Sequence, residues 1–182
     1  MKSAPGFARV SIGAALCFAF AASTAHATVY TFSQGGYSGG GSISGTFTGS
    51  DLDADGQINS RRGEVTAFSF SFSGDSIVGP FSHGLGDLST LVYDVGSGAI
   101  GDVAIGAFAP GIASNWFGSV GVDFASGLGP TGSAGGRVID IASSDTSSTL
   151  QSVSVTAVPE PGTTALFALG LAGLGWVRRR LA

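Results

Sequence analysis

The sequence predicts an all-β fold, an antiparallel sandwich or jelly-roll-like single domain, flanked by an N-terminal signal helix and a C-terminal membrane helix. Three observations carry the prediction. Phe68, Phe70 and Phe72 alternate with Ser69, Ser71 and Ser73, which gives one strand a face of rings and a face of hydroxyls. Similar short β-prone runs recur between turns rich in glycine, serine and proline, the punctuation of sandwiches and barrels. No amphipathic helical run of useful length interrupts them, and no repeat of fixed period points to a propeller or β-helix. Glycine supplies 31 of the 182 residues. Phe, Val and Ile recur between the glycine-rich stretches, which favours an ordered domain with glycine loops over a low-complexity chain.

From the N-terminus, Lys2 and Arg9 flank the start of an apolar run over 10–22, followed by Ser23-Thr24-Ala25-His26-Ala27. The small residues Ala25 and Ala27 make this a signal peptide, 1–27, cut by signal peptidase after Ala27. About 13 apolar residues give about 20 Å of helix, short of the roughly 30 Å hydrocarbon core, so a permanent anchor is disfavoured. The only cysteine, Cys17, follows Leu16 inside this run. A lipoprotein signal would place a small residue there, so lipid attachment is not expected and the mature chain is predicted to lack disulfides. Strands are then expected at 28–33, 41–48, 65–72, 89–95, 102–108, 119–124, 137–142 and 151–157. The span 28–158 is of single-domain size. It holds three basic residues, Arg61, Arg62 and Arg137, against eleven acids, a net charge of −8 compared with −4 for the whole chain. Nucleic acid or another anionic polymer held by charge is therefore disfavoured, and divalent cations suit the acidic exterior.

The segment Asp51-Leu52-Asp53-Ala54-Asp55-Gly56-Gln57-Ile58-Asn59 reproduces the first nine positions of a calcium loop. Oxygen ligands alternate, glycine stands at position six and an aliphatic at eight. Ca²⁺ would relieve the repulsion among Asp51, Asp53 and Asp55 and accept the Gln57 carbonyl. Position twelve is Arg62 and not the expected glutamate, but Glu64 stands two residues on. The flanks read as strands, so the loop is expected in a β-hairpin connection. A metal-free aspartate-rich turn explains the same residues, since Asp and Gly are common turn formers.

Beyond the signal, His83 is the only histidine and no cysteine remains, which excludes a histidine-cysteine zinc site and a cysteine nucleophile. Ser82 and His83 with Asp87 resemble triad material only superficially, because adjacent residues rarely face each other. No enzyme and no catalytic residue is expected. Trp116 and Tyr37 are candidates for stacking on sugar rings; both also suit the core of a small sandwich.

The chain ends in Pro159-Glu160-Pro161, an uncharged stretch over 163–177 and the basic cluster Arg178, Arg179 and Arg180. The prolines keep the motif extended. The Ala-, Leu- and Gly-rich stretch suits a short membrane helix, with Trp176 at the interface and the arginines stopping translocation. This order resembles the PEP-CTERM sorting signal, also labelled an ice-binding protein C-terminal domain, a label that carries no activity. The resemblance implies a sorting signal over 159–182, recognition and processing by an exosortase, and delivery to the cell surface, envelope or extracellular matrix. The expected function is an exported structural protein of envelope, surface or biofilm matrix. The alternative is a calcium-supported carbohydrate-binding module of the polysaccharide matrix.

Overall fold

Alternation along the strands decides which faces meet. A computed structural model of the chain describes residues 27–100, 108–116, 118–159, 167, 169 and 170. Its strands are β1 (Thr28–Gln34), β2 (Ile43–Gly49), β3 (Gln57–Asn59), β4 (Val65–Phe72), β5 (Phe81–Gly84), β6 (Leu88–Asp94), β7 (Ala99–Ile100), β8 (Gly111–Ser114), β9 (Val122–Ser126), β10 (Gly136–Asp140), β11 (Thr146–Thr149) and β12 (Val153–Ala157). One short helix, α1 (Leu128–Thr131), lies between β9 and β10. The first sheet runs β5-β4-β2-β1-β12-β7 and the second β11-β10-β9-β8-β6-β3. Every pairing is antiparallel. The all-β sandwich is thus the observed architecture.

The inward faces build one aromatic core. Tyr30 and Phe47 stack at 4.7 Å within the first sheet, and Tyr93 from β6 meets both edge-on at 5.2 and 5.7 Å. Phe70 reaches Phe124 of β9 at 4.9 Å. Such pairs add about 0.5–1.5 kcal/mol each beyond the area they bury. Gly45 lies opposite Phe32 on one side and Phe70 on the other. A Cβ there would stand 2.5 Å from both side chains, so the missing side chain is the space that lets two rings flank one position.

A polar link also crosses the core. The Tyr37 hydroxyl donates to Gln34 Oε1 at 2.8 Å, and Gln34 Nε2 donates to Ser126 Oγ of the second sheet at 2.9 Å. Tyr37 is only 3% exposed, packs edge-on against Phe72, and burial pushes its phenol well above the usual value. The expectation of Tyr37 as a sugar-stacking platform is therefore corrected: neighbouring glycines suggested exposure, but the ring closes the end of the core.

The outer faces differ. On the first sheet, Thr156, Thr31, Thr46 and Ser69 line up across four strands, a hydroxyl-bearing surface that faces solvent. On the second sheet the outward row Thr90, Ala113, Ala125 and Arg137 has small residues at its centre. Ala113 and Ala125 are fully buried, because other parts of the chain cover this face.

Most expected strands form with ends displaced by a few residues. The run at 119–124 starts later, at Val122, and 102–108 lies outside the described residues apart from Phe108. Strands β3, β5, β7, β8 and β11 are additions. The polar Thr146–Thr149 is informative, since Thr149 on its inward face satisfies its hydroxyl by donating to the Gly35 carbonyl at 2.8 Å. Of the expected signal segment only Ala27, and of the sorting tail only Pro159, Phe167, Leu169 and Gly170, lie within the described residues. No helix among the described residues is long and apolar enough to cross a membrane.

Candidate functional site

The connection from β2 to β4 leaves the first sheet, turns through the aspartates, and pairs β3 with β6 at the edge of the second. Aspartate side chains fold this turn by accepting main-chain N–H bonds. Asp51 accepts from Asp55 at 3.1 Å and Gly56 at 2.8 Å; Asp55 accepts from Gln57 at 2.8 Å. Ala54 (φ 58°) and Gly56 (φ 85°) take the left-handed conformation this path requires. Glu64, 2% exposed, closes the turn from below. Its Oε1 accepts from Leu52 N at 2.9 Å and its Oε2 from Asn59 N at 2.8 Å. Arg62 pairs with Asp53 and, at 2.6 Å, with Asp55.

Of the five sequence-predicted ligands, Asp51, Asp53 and Glu64 each offer an oxygen within 4.8 Å of the others. Asp55 lies outside this group and faces Arg62. Gln57, whose expected contribution is its main-chain carbonyl, is built into β3, where its side-chain amide grips Asp94 at 2.7 Å and both main-chain groups of Phe108 at 2.9 and 3.1 Å. An all-oxygen set of carboxylates suits a hard dication, and each carboxylate oxygen keeps lone pairs beyond its N–H bond. The Arg62 guanidinium already supplies positive charge at Asp53, so Ca²⁺ has to compete with it.

Beside this loop a cleft of about 420 Å³ opens on the outer face of the second sheet. Thr90, Val92 and Gly111 form its floor, Asn59, Arg61 and Arg62 one rim, and Phe108, Trp116 and Pro130 its walls. The positions are held locally. Asn59 Oδ1 caps the turn Ser60–Arg62 by accepting from Arg61 N at 3.0 Å, and Ser60 Oγ docks the turn on β6 by accepting from Leu91 N at 2.8 Å. Trp116 N donates to Ser89 Oγ at 3.0 Å, while the Asn115 amide binds the Val120 carbonyl and Asp123. Pro130 lies over Gly111, where any Cβ would collide with it. Two cation–π contacts complete the walls: Arg62 over Phe108 at 4.8 Å and Arg137 over Trp116 at 4.6 Å. Trp116 is half-buried at the wall. Arg61, Arg62 and Phe108 were not singled out for this cleft from sequence; the rarity of arginine in 28–158 was the available signal.

Ser82 points to the opposite face from His83, as alternation requires, and lies opposite Ser71. His83 Nδ1 meets Ser114 Oγ of the second sheet at 2.7 Å instead. Ser114 is fully buried, so this contact joins the sheets. Burial lowers the His83 pKa against the opposing pull of Asp87 and Asp123. The unfolded chain then binds the proton more readily, so the stability from neutral His83 is present above about pH 6.5 and lost as pH falls through the folded value. The melting temperature is expected to fall between about pH 6.5 and pH 5 more steeply than in His83→Gln. Parallel melting curves of the two proteins would count against this assignment.

Residues 157–180 match the PEP-CTERM protein-sorting motif. No curated protein and no solved structure matches the chain. The motif marks an exported protein whose precursor is membrane-anchored and processed by an exosortase. Pro159 is exposed two residues beyond β12; Glu160, Pro161 and Arg178, Arg179 and Arg180 lie outside the described residues. Ala27 borders β1, and Ala25 lies outside the described residues.

Calorimetry with Ca²⁺ reads the competition at Asp53. Binding is expected to vanish in Asp53→Ala and to strengthen in Arg62→Gln, which removes the competing cation. Equal heats in all three proteins would reduce the cluster to a turn closed by Arg62 and Glu64.

Proposed function

We propose that the chain is a structural protein of the cell envelope, cell surface or extracellular matrix, including biofilm matrix, released to its destination by exosortase processing. The observation that carries the reading is the position of the sorting motif, which begins at Ala157, the last residue of β12. β12 pairs with β1, placing Tyr30 opposite Ala157. Both ends of the sandwich therefore meet on one strand pair, and processing beyond β12 would leave its core intact.

A second reading, a calcium-supported carbohydrate-binding module, draws on Trp116 at the wall of the outer cleft and on Arg62, which touches both the aspartate loop and Phe108. In that reading Ca²⁺ at Asp51, Asp53 and Glu64 would stiffen the loop behind the cleft and stabilise the fold by mass action. The sorting step is tested with the doubly substituted Pro159→Ala, Glu160→Ala chain in cells that carry an exosortase. It is expected to accumulate as a longer, membrane-associated form, while the native chain appears in a shorter form at the surface or in the matrix. Identical length and location of the two would contradict the reading.

A further inference from the structure

Two of the three arginines of 28–158, Arg61 and Arg62, line the outer cleft. The third, Arg137, lies outside its lining and packs on the ring of Trp116, which forms a wall of the cleft. Eleven acids in the same span offer many places for ion pairs, yet the ion pairs among the described residues join only Arg62 to Asp53 and Asp55. Arg61 therefore brings positive charge to the cleft that no described carboxylate neutralises by direct pairing. Arg62 has a different role. The two aspartates and the Phe108 ring hold its guanidinium in place, and Gln57 in turn fixes Phe108 through both main-chain groups. The rim is thus preorganised.

These features identify a ligand chemistry. A guanidinium is a fork that matches a carboxylate with two parallel hydrogen bonds. A half-buried aromatic face offers stacking area for the C–H face of a sugar ring. The volume, about 420 Å³, falls within the roughly 300–1,000 Å³ of small-ligand clefts. The overall charge of −8 disfavours long-range capture of polyanions, and Asp53 and Asp55 offset Arg62 at the rim, so the attraction for a carboxylate rests on Arg61, acting within a screening length of about 8 Å. We propose that the cleft binds a carboxylated sugar segment of an acidic polysaccharide, with one ring against Trp116 and its carboxylate on Arg61 at the rim. The proposal rests on the carbohydrate-binding reading and deepens it by naming the sugar class.

Calorimetry on the full chain in detergent micelles, with a galacturonic acid hexamer and the neutral cellohexaose as probes, tests it. The acidic hexamer is expected to bind at least about tenfold more tightly than cellohexaose, a difference of about 1.4 kcal/mol. Arg61→Gln and Trp116→Ala, each checked for unchanged thermal unfolding, are expected to weaken that binding at least about tenfold, and added salt to weaken it further. Equal affinity for both hexamers with Arg61→Gln silent would overturn the acidic-sugar assignment and leave a neutral-sugar module standing. Binding of the acidic hexamer that Trp116→Ala leaves unchanged would place the site elsewhere and also overturn it. No binding of either hexamer at millimolar concentration would overturn both the assignment and the carbohydrate reading.

Discussion

A carboxylate withdrawn from water has to be answered by donors, and Glu64 is answered by two main-chain N–H groups, those of Leu52 and Asn59. The consequences spread from this one residue. The bond to Leu52 fixes the start of the aspartate turn and the bond to Asn59 fixes its end, so the chain leaves β2, visits the second sheet as β3 and returns as β4 in one defined path. Asn59 then caps the turn that carries Arg61 and Arg62 to the rim of the cleft. Orphaning the buried Asn59 amide alone costs about 1–3 kcal/mol, a sizeable part of the stability of a domain this small.

The same excursion couples loop and cleft. Gln57 spends its whole amide on Asp94 and on the main chain of Phe108, and Arg62 spans the gap between the aspartates and the Phe108 ring. Whatever changes the charge at Asp53 therefore acts on a wall of the cleft through one side chain. The aromatic core beneath is indifferent to this, because its contacts are made by inward residues of both sheets, such as Tyr30 with Tyr93 and Phe70 with Phe124. The aromatic core and the cleft thus lie on opposite faces of the second sheet.

Period-two alternation made the sandwich legible, since Phe68, Phe70 and Phe72 could bury only one face. Polar strands such as β11 were not, because a hydroxyl that points inward and finds a carbonyl reads in sequence like a turn residue. The aspartate spacing located the loop, but spacing does not say how each side chain is spent. Gln57 proved to be a strand residue, and Arg62, out of place as a calcium ligand, proved to be the cation paired with Asp53 and Asp55. Tyr37 misled because burial at the end of a sandwich leaves no periodic trace among glycines. The cleft was invisible in sequence because it assembles residues from four separate segments, near 60, 90, 110 and 130, whose adjacency exists only once the sheets have paired. The sorting motif was legible, since its information is linear.

Native-state hydrogen exchange of the full chain, read at the amides of Leu52 and Asn59, addresses the Glu64 closure most directly. The closure predicts that both exchange far more slowly than the amide of exposed Ala54, and that Glu64→Ala, which removes both acceptors, releases the two together. Exchange of Leu52 and Asn59 as fast as Ala54 in the native protein would contradict it, because neither amide would then be held by the buried carboxylate.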